Sequence, residues 1–318
     1  MPPAHFFNSD AFLGVVADVH FPGATPRVVA WEDVVARTLV HRGKAVSFFW
    51  NYPFYLPPVA SPGTTSEFSV PYLKNVVRQI APVNADEPPG MVPALFIRWE
   101  GFPAWEAYER FAAREMGMRS GSMRRDEARL AREFGPVHFV PNDEDPAAFQ
   151  SAIEWKAEQY RRSRPGYRYY IENNLRLYRA MRDRGLLMVS SLRAGNRIVA
   201  AQFSNHWERT LLYRLSSYDV ELRAYSPGVI HLRYLLQYSY ERGDTEFDFN
   251  FGREPYKYKY ATHVRWLGQV GTVPRAEDWN RRSRMLTARA VGWNPAAYRF
   301  LRSSEAAFGR FRRRLRAR

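Results

Sequence analysis

The sequence predicts a mixed α/β protein, with helices packed on sheets whose strands are mostly antiparallel. Two properties of the whole chain support this prediction. Its 318 residues suit two domains of roughly 150 residues each, and an apolar fraction of 46% is sufficient for a buried core. The third observation is that segments with period-two alternation and segments with helical spacing follow one another along the chain.

The first half, up to about residue 118, is predicted as one α/β unit. Three segments rich in β-branched and aromatic residues predict strands at 27–36, 44–50 and 93–100. A helix is predicted over 103–117, because its apolar residues recur at steps of three and four before Gly117 ends the pattern.

The second half begins after a polar, basic segment, 119–135, that is predicted as a helix or a linker. Asp145 is a candidate helix cap, with Pro146 at the first helical position, so we place the boundary between the halves near residue 140. The patterns that follow predict the order α-α-β-β-β-loop-α-β and one further strand. The segments are 147–162, 167–185, three strands within 186–218, then 229–243, 246–251 and 264–270.

Composition excludes several kinds of chemistry. The chain has no cysteine, so disulfides, thiolate catalysis and cysteine-ligated zinc are all ruled out. Its histidines are dispersed without ligand spacing, and we expect no metal site. The first 20 residues lack a basic start followed by an apolar run, so we expect no signal peptide and a cytoplasmic location.

Most of the positive charge lies at the C-terminal end. Of the formal net charge of +15, ten units come from residues 275–318, which contain thirteen arginines and three acids. Residues 294–318 are predicted as a basic amphipathic helix. Such a helix suits peripheral contact with an anionic membrane at the inner face, contact with RNA phosphates, docking on a partner, or simple packing as a terminal helix.

Two neighbouring segments carry the candidate chemistry. Ser226, Pro227 and Gly228 open a predicted helix, whose unpaired N–H groups suit an anion such as a pyrophosphate, although an ordinary helix start has the same pattern. In "FDFNFGREPYK" (247–257), Phe247, Phe249 and Phe251 should share one face of a strand, and the polar residues after Gly252 should lie at its carboxyl end. The alternative for that end is a surface cluster of ion pairs.

Taken together, these segments resemble a known family. The run of SPG, an amphipathic helix, Gly243, "FDF", Gly252, Glu254 and "PYK" is similar to the CelD/BcsL (BioF2-like) family of the GNAT acyltransferase superfamily. The upstream "SGSMRRDEARLAREFG" and "RIVAAQF" are also similar to segments of that family. The likeness extends over residues 119–270, with the family's order and spacing.

The resemblance implies two GNAT-like halves. With the boundary near residue 140 and the basic C-terminal segment, we divide the chain into an N-terminal half, 1–140, a C-terminal GNAT domain, 141–275, and a basic helical tail, 276–318. In this fold the fourth and fifth strands separate, and the pantetheine arm of acyl-CoA lies between them. Here those strands correspond to 210–218 and 246–251.

The resemblance also implies where acyl-CoA, such as acetyl-CoA, binds. Its pyrophosphate is expected at the helix start, with Arg223, Ser226, Pro227 and Gly228 as the binding residues. The segment "RAYSPG" has one glycine, where the wider superfamily's phosphate loop has two.

The candidate catalytic residues follow strand 246–251. Lys257 resembles a lysine of the related Fem aminoacyl transferases and would face a phosphate, a carboxylate or a developing oxyanion, or else pair with an acid. Asp248 and Glu254 are candidate general bases, and Asp248 is equally a candidate for bracing a loop; Tyr256 and His231 are weaker candidates. The expected substrate contacts are Arg253, Tyr238 and Tyr170.

The predicted function is transfer of an acyl group from acyl-CoA to the amine of a small molecule, sugar or amino acid, by direct attack. Two alternatives remain open. One is a Fem-like transferase that takes its aminoacyl group from tRNA, which the net basicity favours. The other is a non-catalytic GNAT-like component of a polysaccharide biosynthesis complex.

Overall fold

The computed structural model describes residues 5–31, 34–46, 55–57, 68–163, 167–272 and 275. Six α-helices and twelve β-strands lie within these ranges, and the strands form two sheets. The predicted tail, 276–318, lies outside the described residues. Among the described helices, none combines the length and the apolar character needed to cross a bilayer.

The smaller sheet has four strands and belongs to the first half of the chain. Helix α1 (Asp10–His20) precedes it, and its strands are β1 (Thr25–Trp31), β2 (Val34–His41), β3 (Lys44–Val46) and β4 (Phe68–Ser69), in the order β3-β2-β1-β4. The single strand predicted over 27–36 was wrong, because this segment is divided between β1 and β2, which pair as antiparallel neighbours. The charged pair Glu32–Asp33 interrupts the apolar alternation at that point.

The larger sheet has eight strands, in the order β5-β12-β6-β11-β10-β9-β8-β7. Its elements follow the chain as β5 (Tyr72–Pro82), β6 (Val92–Arg98), α2 (Trp105–Glu115), α3 (Ser120–Phe134), β7 (Val137–Val140), α4 (Pro146–Ser163), α5 (Tyr167–Asp183), β8 (Met188–Ala194), β9 (Arg197–Trp207), β10 (Thr210–Tyr218), α6 (Pro227–Glu241), β11 (Glu246–Phe251) and β12 (His263–Gly271). The mixed α/β fold class is therefore confirmed.

The larger sheet takes strands from both sides of residue 140. Strand β6 lies between β11 and β12 and pairs antiparallel with each of them. Strand β12 also pairs with β5 at its other edge. Within the described sheet, β10 and β11 are the only neighbours that run parallel.

Most elements of the second half confirm the predicted order. Helix α4 begins at Pro146, and the carboxylate of Asp145 accepts the backbone N–H of Ala147 at 2.9 Å, as expected of a helix cap. The basic segment 119–135 forms helix α3. Helix α1 and strand β5 were not predicted.

Buried side chains cover both faces of the larger sheet. On one face, which we call the α4 side, Phe149 of α4 and Leu177 of α5 pack in one cluster with Leu212 of β10. On the other, the α6 side, Leu235 of α6 packs with Phe247 of β11. Side chains at successive strand positions alternate between these faces, so the residues of β10 and β11 are distributed to both.

Candidate active site

Strands β10 and β11 separate towards their carboxyl ends. They pair at three positions, of which the last joins Leu212 to Asp248. Beyond that point β10 continues to Tyr218 and β11 to Phe251 without further pairing between them in the described sheet. The result is an opening between two parallel strands, which we call the wedge, at the place where the family resemblance predicts it.

An irregular turn in β11 accompanies the wedge. Asn250 has a left-handed φ of 62°, and the register with β6 shifts between Asp248 and Phe251. The carboxylate of Asp248 accepts the N–H of Asn250 at 2.6 Å, and the side-chain oxygen of Asn250 accepts the N–H of Phe251 at 3.0 Å. These two hydrogen bonds hold the turn.

The turn also corrects one prediction about β11. Phe247 and Phe249 lie together on the α6 side, but Phe251 packs against the cluster on the α4 side. The three phenylalanines therefore do not share one face. The physical reason is the left-handed residue Asn250, which breaks the alternation between the second and third phenylalanine.

Asp248 is fully buried on the α4 side, among groups from distant parts of the chain. Tyr55 donates a hydrogen bond to its Oδ2, and His5 Nε2 and Arg265 Nη1 each lie 3.7 Å from that oxygen. Burial by itself raises the pKa of Asp248, but His5, Arg265 and Tyr55 outweigh it and lower the pKa to about 2. The carboxylate is thus ionised at neutral pH and enclosed by its partners, a geometry that suits the bracing role.

Lys257 lies just after the strand, in a short 3-10 turn, and is buried. Its ammonium donates to the carbonyl oxygen of Phe251 at 3.1 Å and lies 2.9 Å from Oε2 of Glu254. Burial lowers the pKa of Lys257, and the negative charge of Glu254 opposes that shift. Gly252 permits this pairing, because a Cβ there would lie 2.3 Å from Glu254 Oε2.

Two tyrosines meet on the α6 side of the wedge. Tyr213, the first residue of β10 beyond the pairing with β11, is buried and hydrogen bonds to Ser216 and to Tyr256. Burial raises the pKa of Tyr213 to about 12, although those hydrogen bonds act in the opposite direction. Tyr256 follows β11 and is 37% exposed, so this contact joins the two sides of the wedge near solvent.

On the α4 side, helix α4 reaches the part of β10 that β11 leaves. The ammonium of Lys156 donates to the carbonyl oxygen of Ser216 at 2.9 Å, and the amide of Gln159 donates to that of Tyr218 at 3.4 Å. Both side chains are half-buried. Sequence reasoning did not identify either residue, because their position depends on how α4 packs on the sheet.

The start of α6 follows β10 after a 3-10 turn, Val220–Tyr225, in which Arg223 is exposed. Ser226 has a left-handed φ of 52°, and its carbonyl oxygen accepts the N–H groups of Val229 and Ile230. A Cβ on Gly228 would lie 3.0 Å from the ring of Tyr218, so glycine allows this close approach. The predicted phosphate-binding residues therefore lie together at the mouth of the wedge.

The three predicted substrate-contact residues, Arg253, Tyr238 and Tyr170, lie in different elements. Arg253 is exposed, pairs with Glu87 and donates to the carbonyl oxygen of Met91 at 2.8 Å. The hydroxyl of Tyr238, late in α6, accepts a hydrogen bond from Arg242 at 2.9 Å, away from the helix start. Tyr170 lies in α5, but its side chain is outside the described part of the structure.

His231 does not reach the wedge. It is buried beneath α6, and its Nε2 lies 3.0 Å from the hydroxyl of Ser190 on β8. Burial lowers its pKa to about 3, so this imidazole is neutral at physiological pH. Among the described residues, no group of three or more histidines and acids is arranged to hold a metal ion.

Three residues of the Asp248 cluster were missed by sequence reasoning: His5, Tyr55 and Arg265. A signal existed for Arg265 alone, because an arginine inside the apolar strand "VRWLGQV" needs a buried partner. The segments that contain His5 and Tyr55 have no pattern that indicates contact with β11.

Comparison with known proteins agrees with this geometry. Residues 118–258, from the start of α3 to the turn after β11, match the family described as "Acetyltransferase (GNAT) domain". No curated protein matches the sequence. A crystal structure of FemX aligns over 88% of this chain and 94% of its own, with a TM-score of 0.51 and 8% identity, which indicates a shared fold.

Structures of lysylphosphatidylglycerol synthetases align less well. The L-PGS structure from Bacillus licheniformis covers 70% of this chain and 73% of its own, with a TM-score of 0.40 and 12% identity. The C-terminal domain of the putative synthetase from Agrobacterium fabrum gives the same values. The narrower likeness to the CelD/BcsL family stays a prediction. Residues 118–258 match a GNAT acetyltransferase domain, and this match supports an acyltransferase activity.

Proposed function

We propose that the protein transfers an acyl group from acyl-CoA, such as acetyl-CoA, to the amine of a small-molecule acceptor by direct attack. The observation that carries this proposal is the wedge between β10 and β11, with the start of α6 immediately after β10. A thioester donor needs an extended slot for its arm and an anion site beside it, and this arrangement supports the proposal of both.

In this proposal the arm of the donor lies along β10 from Tyr213 to Tyr218. The pyrophosphate lies at Ser226, Pro227 and Gly228, where the positive end of the α6 dipole favours an anion. Arg223 is exposed on the preceding turn and adds a positive charge nearby. The acceptor approaches from the α4 side, where Lys156 meets β10.

The reaction forms a bond between the amine nitrogen and the thioester carbon and breaks the carbon–sulfur bond. In this proposal Glu254, whose side chain is 40% exposed, acts as the general base and accepts the proton that the nitrogen loses. Tyr256, at the rim, is assigned proton donation to the departing thiolate. Lys257 and Asp248 position other groups in this proposal. Lys257 orients Glu254 through their ion pair, and Asp248 stabilises the turn in β11.

The substrate contacts stay part of the proposal. Arg253 is at the rim of the same loop and is assigned contact with the acceptor or the donor. Tyr238 and Tyr170 stay predictions of acceptor contact.

The second candidate is a Fem-like transfer from aminoacyl-tRNA. One observation favours it: the N–H groups of Val229 and Ile230 already bond to Ser226, which leaves fewer donors for a pyrophosphate at the start of α6. The +15 net charge also suits a nucleic-acid donor.

Donor binding separates these candidates. The melting temperature is measured with acetyl-CoA, with a longer acyl-CoA and with aminoacyl-tRNA, because a ligand that binds the folded state raises it. A rise with an acyl-CoA supports the proposal, and a rise with charged tRNA alone supports the second candidate. No rise with any donor contradicts both and favours a non-catalytic component.

Activity then tests the residue roles. Glu254→Gln and Tyr256→Phe should each lower kcat by about 100-fold, the usual scale of general acid–base catalysis. Tyr258→Phe is the matched control, since Tyr258 is a half-buried tyrosine two positions further along the same loop. Full activity in both test variants removes these two assignments.

A further inference from the structure

The buried cluster on the α4 side connects the N-terminal part of the chain to the strand that borders the wedge. His5 precedes a 3-10 turn, Phe6–Asn8, and its Nε2 lies 2.9 Å from the hydroxyl of Tyr55. Tyr55 is fully buried, and its hydroxyl donates a hydrogen bond to Asp248 of β11. Three segments that are far apart in the sequence therefore meet at one carboxylate.

The hydrogen bonds of this cluster have a defined direction. His5 Nδ1 accepts the N–H of Phe7 at 3.2 Å, so the proton of the neutral imidazole is on Nε2. Nε2 then donates to the tyrosine oxygen, and the tyrosine hydroxyl donates to Oδ2 of Asp248. Each group in this series orients the next.

The two oxygens of Asp248 serve two different parts of the structure. Oδ2 faces Tyr55 and lies 3.7 Å from both His5 and Arg265. Oδ1 accepts the N–H of Asn250 and so holds the left-handed turn at which β11 becomes irregular. Because a carboxylate is planar and rigid, a group that fixes one oxygen also fixes the other.

Arg265 places a positive charge near the carboxylate of Asp248, but it does not fix the orientation of that carboxylate. Its guanidinium stacks over the ring of Phe96 at 3.7 Å and pairs with Glu246. At 3.7 Å, its Nη1 is beyond hydrogen-bond distance from Asp248. Tyr55 therefore supplies the side-chain hydrogen bond that sets the orientation of Oδ2.

We propose that Tyr55 is a positioning residue of the wedge: its hydroxyl orients Asp248, which holds the turn at Asn250 and keeps the end of β11 away from β10. This role deepens the proposed function and rests on it only for the effect on donor binding. The effect on the turn is independent of any reaction.

The test compares Tyr55→Phe with Tyr108→Phe. Tyr108 is an equally buried tyrosine whose hydroxyl donates to the carbonyl oxygen of Tyr260 at 2.9 Å, without contact with Asp248. Hydrogen exchange is measured at the amides of Asn250 and Phe251 in the full chain. Exchange should be at least about tenfold faster in Tyr55→Phe and unchanged in Tyr108→Phe, because local opening raises exchange.

The dissociation constant for acetyl-CoA gives the second measurement. It should rise about tenfold in Tyr55→Phe, with a larger effect on KM than on kcat, and stay within about twofold in Tyr108→Phe. Equal exchange at Asn250 in the wild type and Tyr55→Phe overturns the inference. Failure of the wild type to bind acetyl-CoA contradicts the proposed function instead, and the exchange result still decides the role of Tyr55.

A second variant serves if Tyr55→Phe does not fold. His5→Ala removes the group that donates to the tyrosine oxygen, and His5 is nearer the surface than Tyr55. His5→Ala should also make exchange at Asn250 faster, but by a smaller factor than Tyr55→Phe. Unchanged exchange in this variant counts against the orientation of Asp248 through Tyr55.

Discussion

At the scale of single residues, the end of β11 concentrates conformations that most residues avoid. Asn250 has φ of 62° and Gly252 has φ of 132°, two positions apart. For a residue other than glycine, such a position costs roughly 1–3 kcal/mol and persists only where the surroundings hold it. Here Asp248 holds the first through a hydrogen bond, and glycine at the second leaves room for Glu254. Strain is therefore located at the border of the wedge.

Asp248 should make stability depend on pH in the acidic range. Its pKa of about 2 in the folded protein lies below the ordinary value of 3.8, so its contribution is complete above pH 4 and is lost as the pH falls towards 2. The difference corresponds to about 2 kcal/mol. The measurement is the free energy of unfolding in urea from pH 6 to pH 2 for the wild type and for Asp248→Asn.

The variant should be less stable at pH 6, and the gap between the two proteins should narrow by about 2 kcal/mol as the pH falls. Other carboxylates titrate in both proteins, so their effect cancels in the comparison. A constant gap over this range contradicts the depressed pKa of Asp248.

At the scale of elements, α3 supports the start of α6. The hydroxyl of Tyr225 donates to Glu133 of α3, and the guanidinium of Arg129 lies 5.0 Å from the Tyr225 ring centre. Tyr225 immediately precedes Ser226, so α3 contacts the segment that leads into the helix. The basic segment of the sequence is thus a helix that borders the predicted anion seat.

Two glycines, Gly135 at the C-cap of α3 and Gly195, allow the end of α3 to lie close to the β8–β9 turn. Gly195, in the turn between β8 and β9, has φ of 57°, and a Cβ there would lie 2.4 Å from the carbonyl oxygen of Phe134. Gly195→Ala should therefore destabilise the protein by about 3 kcal/mol or more, since the backbone of α3 must move. Urea unfolding measures this loss.

Gly43→Ala is the matched control. Gly43 also has a positive φ, 72°, between two strands, but a Cβ there meets no atom within 4 Å. The Gly43→Ala variant should lose about 1 kcal/mol of unfolding free energy, because only its backbone conformation is unfavourable. Equal losses in the two variants contradict the close contact between α3 and the β8–β9 turn.

At the scale of the whole molecule, the larger sheet unites the two halves of the chain. Strand β6 of the first half fills the place between β11 and β12 of the second. A fragment of residues 141–318 would expose both of those strand edges and the apolar faces of Phe247 and Trp266. We expect this fragment to lack a cooperative thermal transition, and co-expression with residues 1–140 to restore it.

Circular dichroism during heating measures the transition, with the full chain as the reference. A cooperative transition in the fragment alone would support the division of the chain at residue 140 into independent domains. That division otherwise stays a prediction, as do the roles of the basic tail.

Local patterns predicted much of the second half. The strands β8, β9 and β10, the helix α6 and the strand β11 follow from alternation, helical spacing and turn residues that act over a few positions. Strand β5 was missed because its buried and exposed positions do not alternate regularly, and a positive φ at Asn75 interrupts it.

The sequence by itself determined the order of these elements, the GNAT resemblance over residues 119–270 and the segments that border the wedge. Only the tertiary structure decided which groups surround Asp248. Tyr55 and Asp248 are 193 positions apart in the sequence, and a local sequence pattern cannot predict a contact between residues so far apart. Burial and long-range hydrogen bonds depend on the path of the whole chain, and here they enclose Asp248, a candidate base, among partners that suit a bracing role.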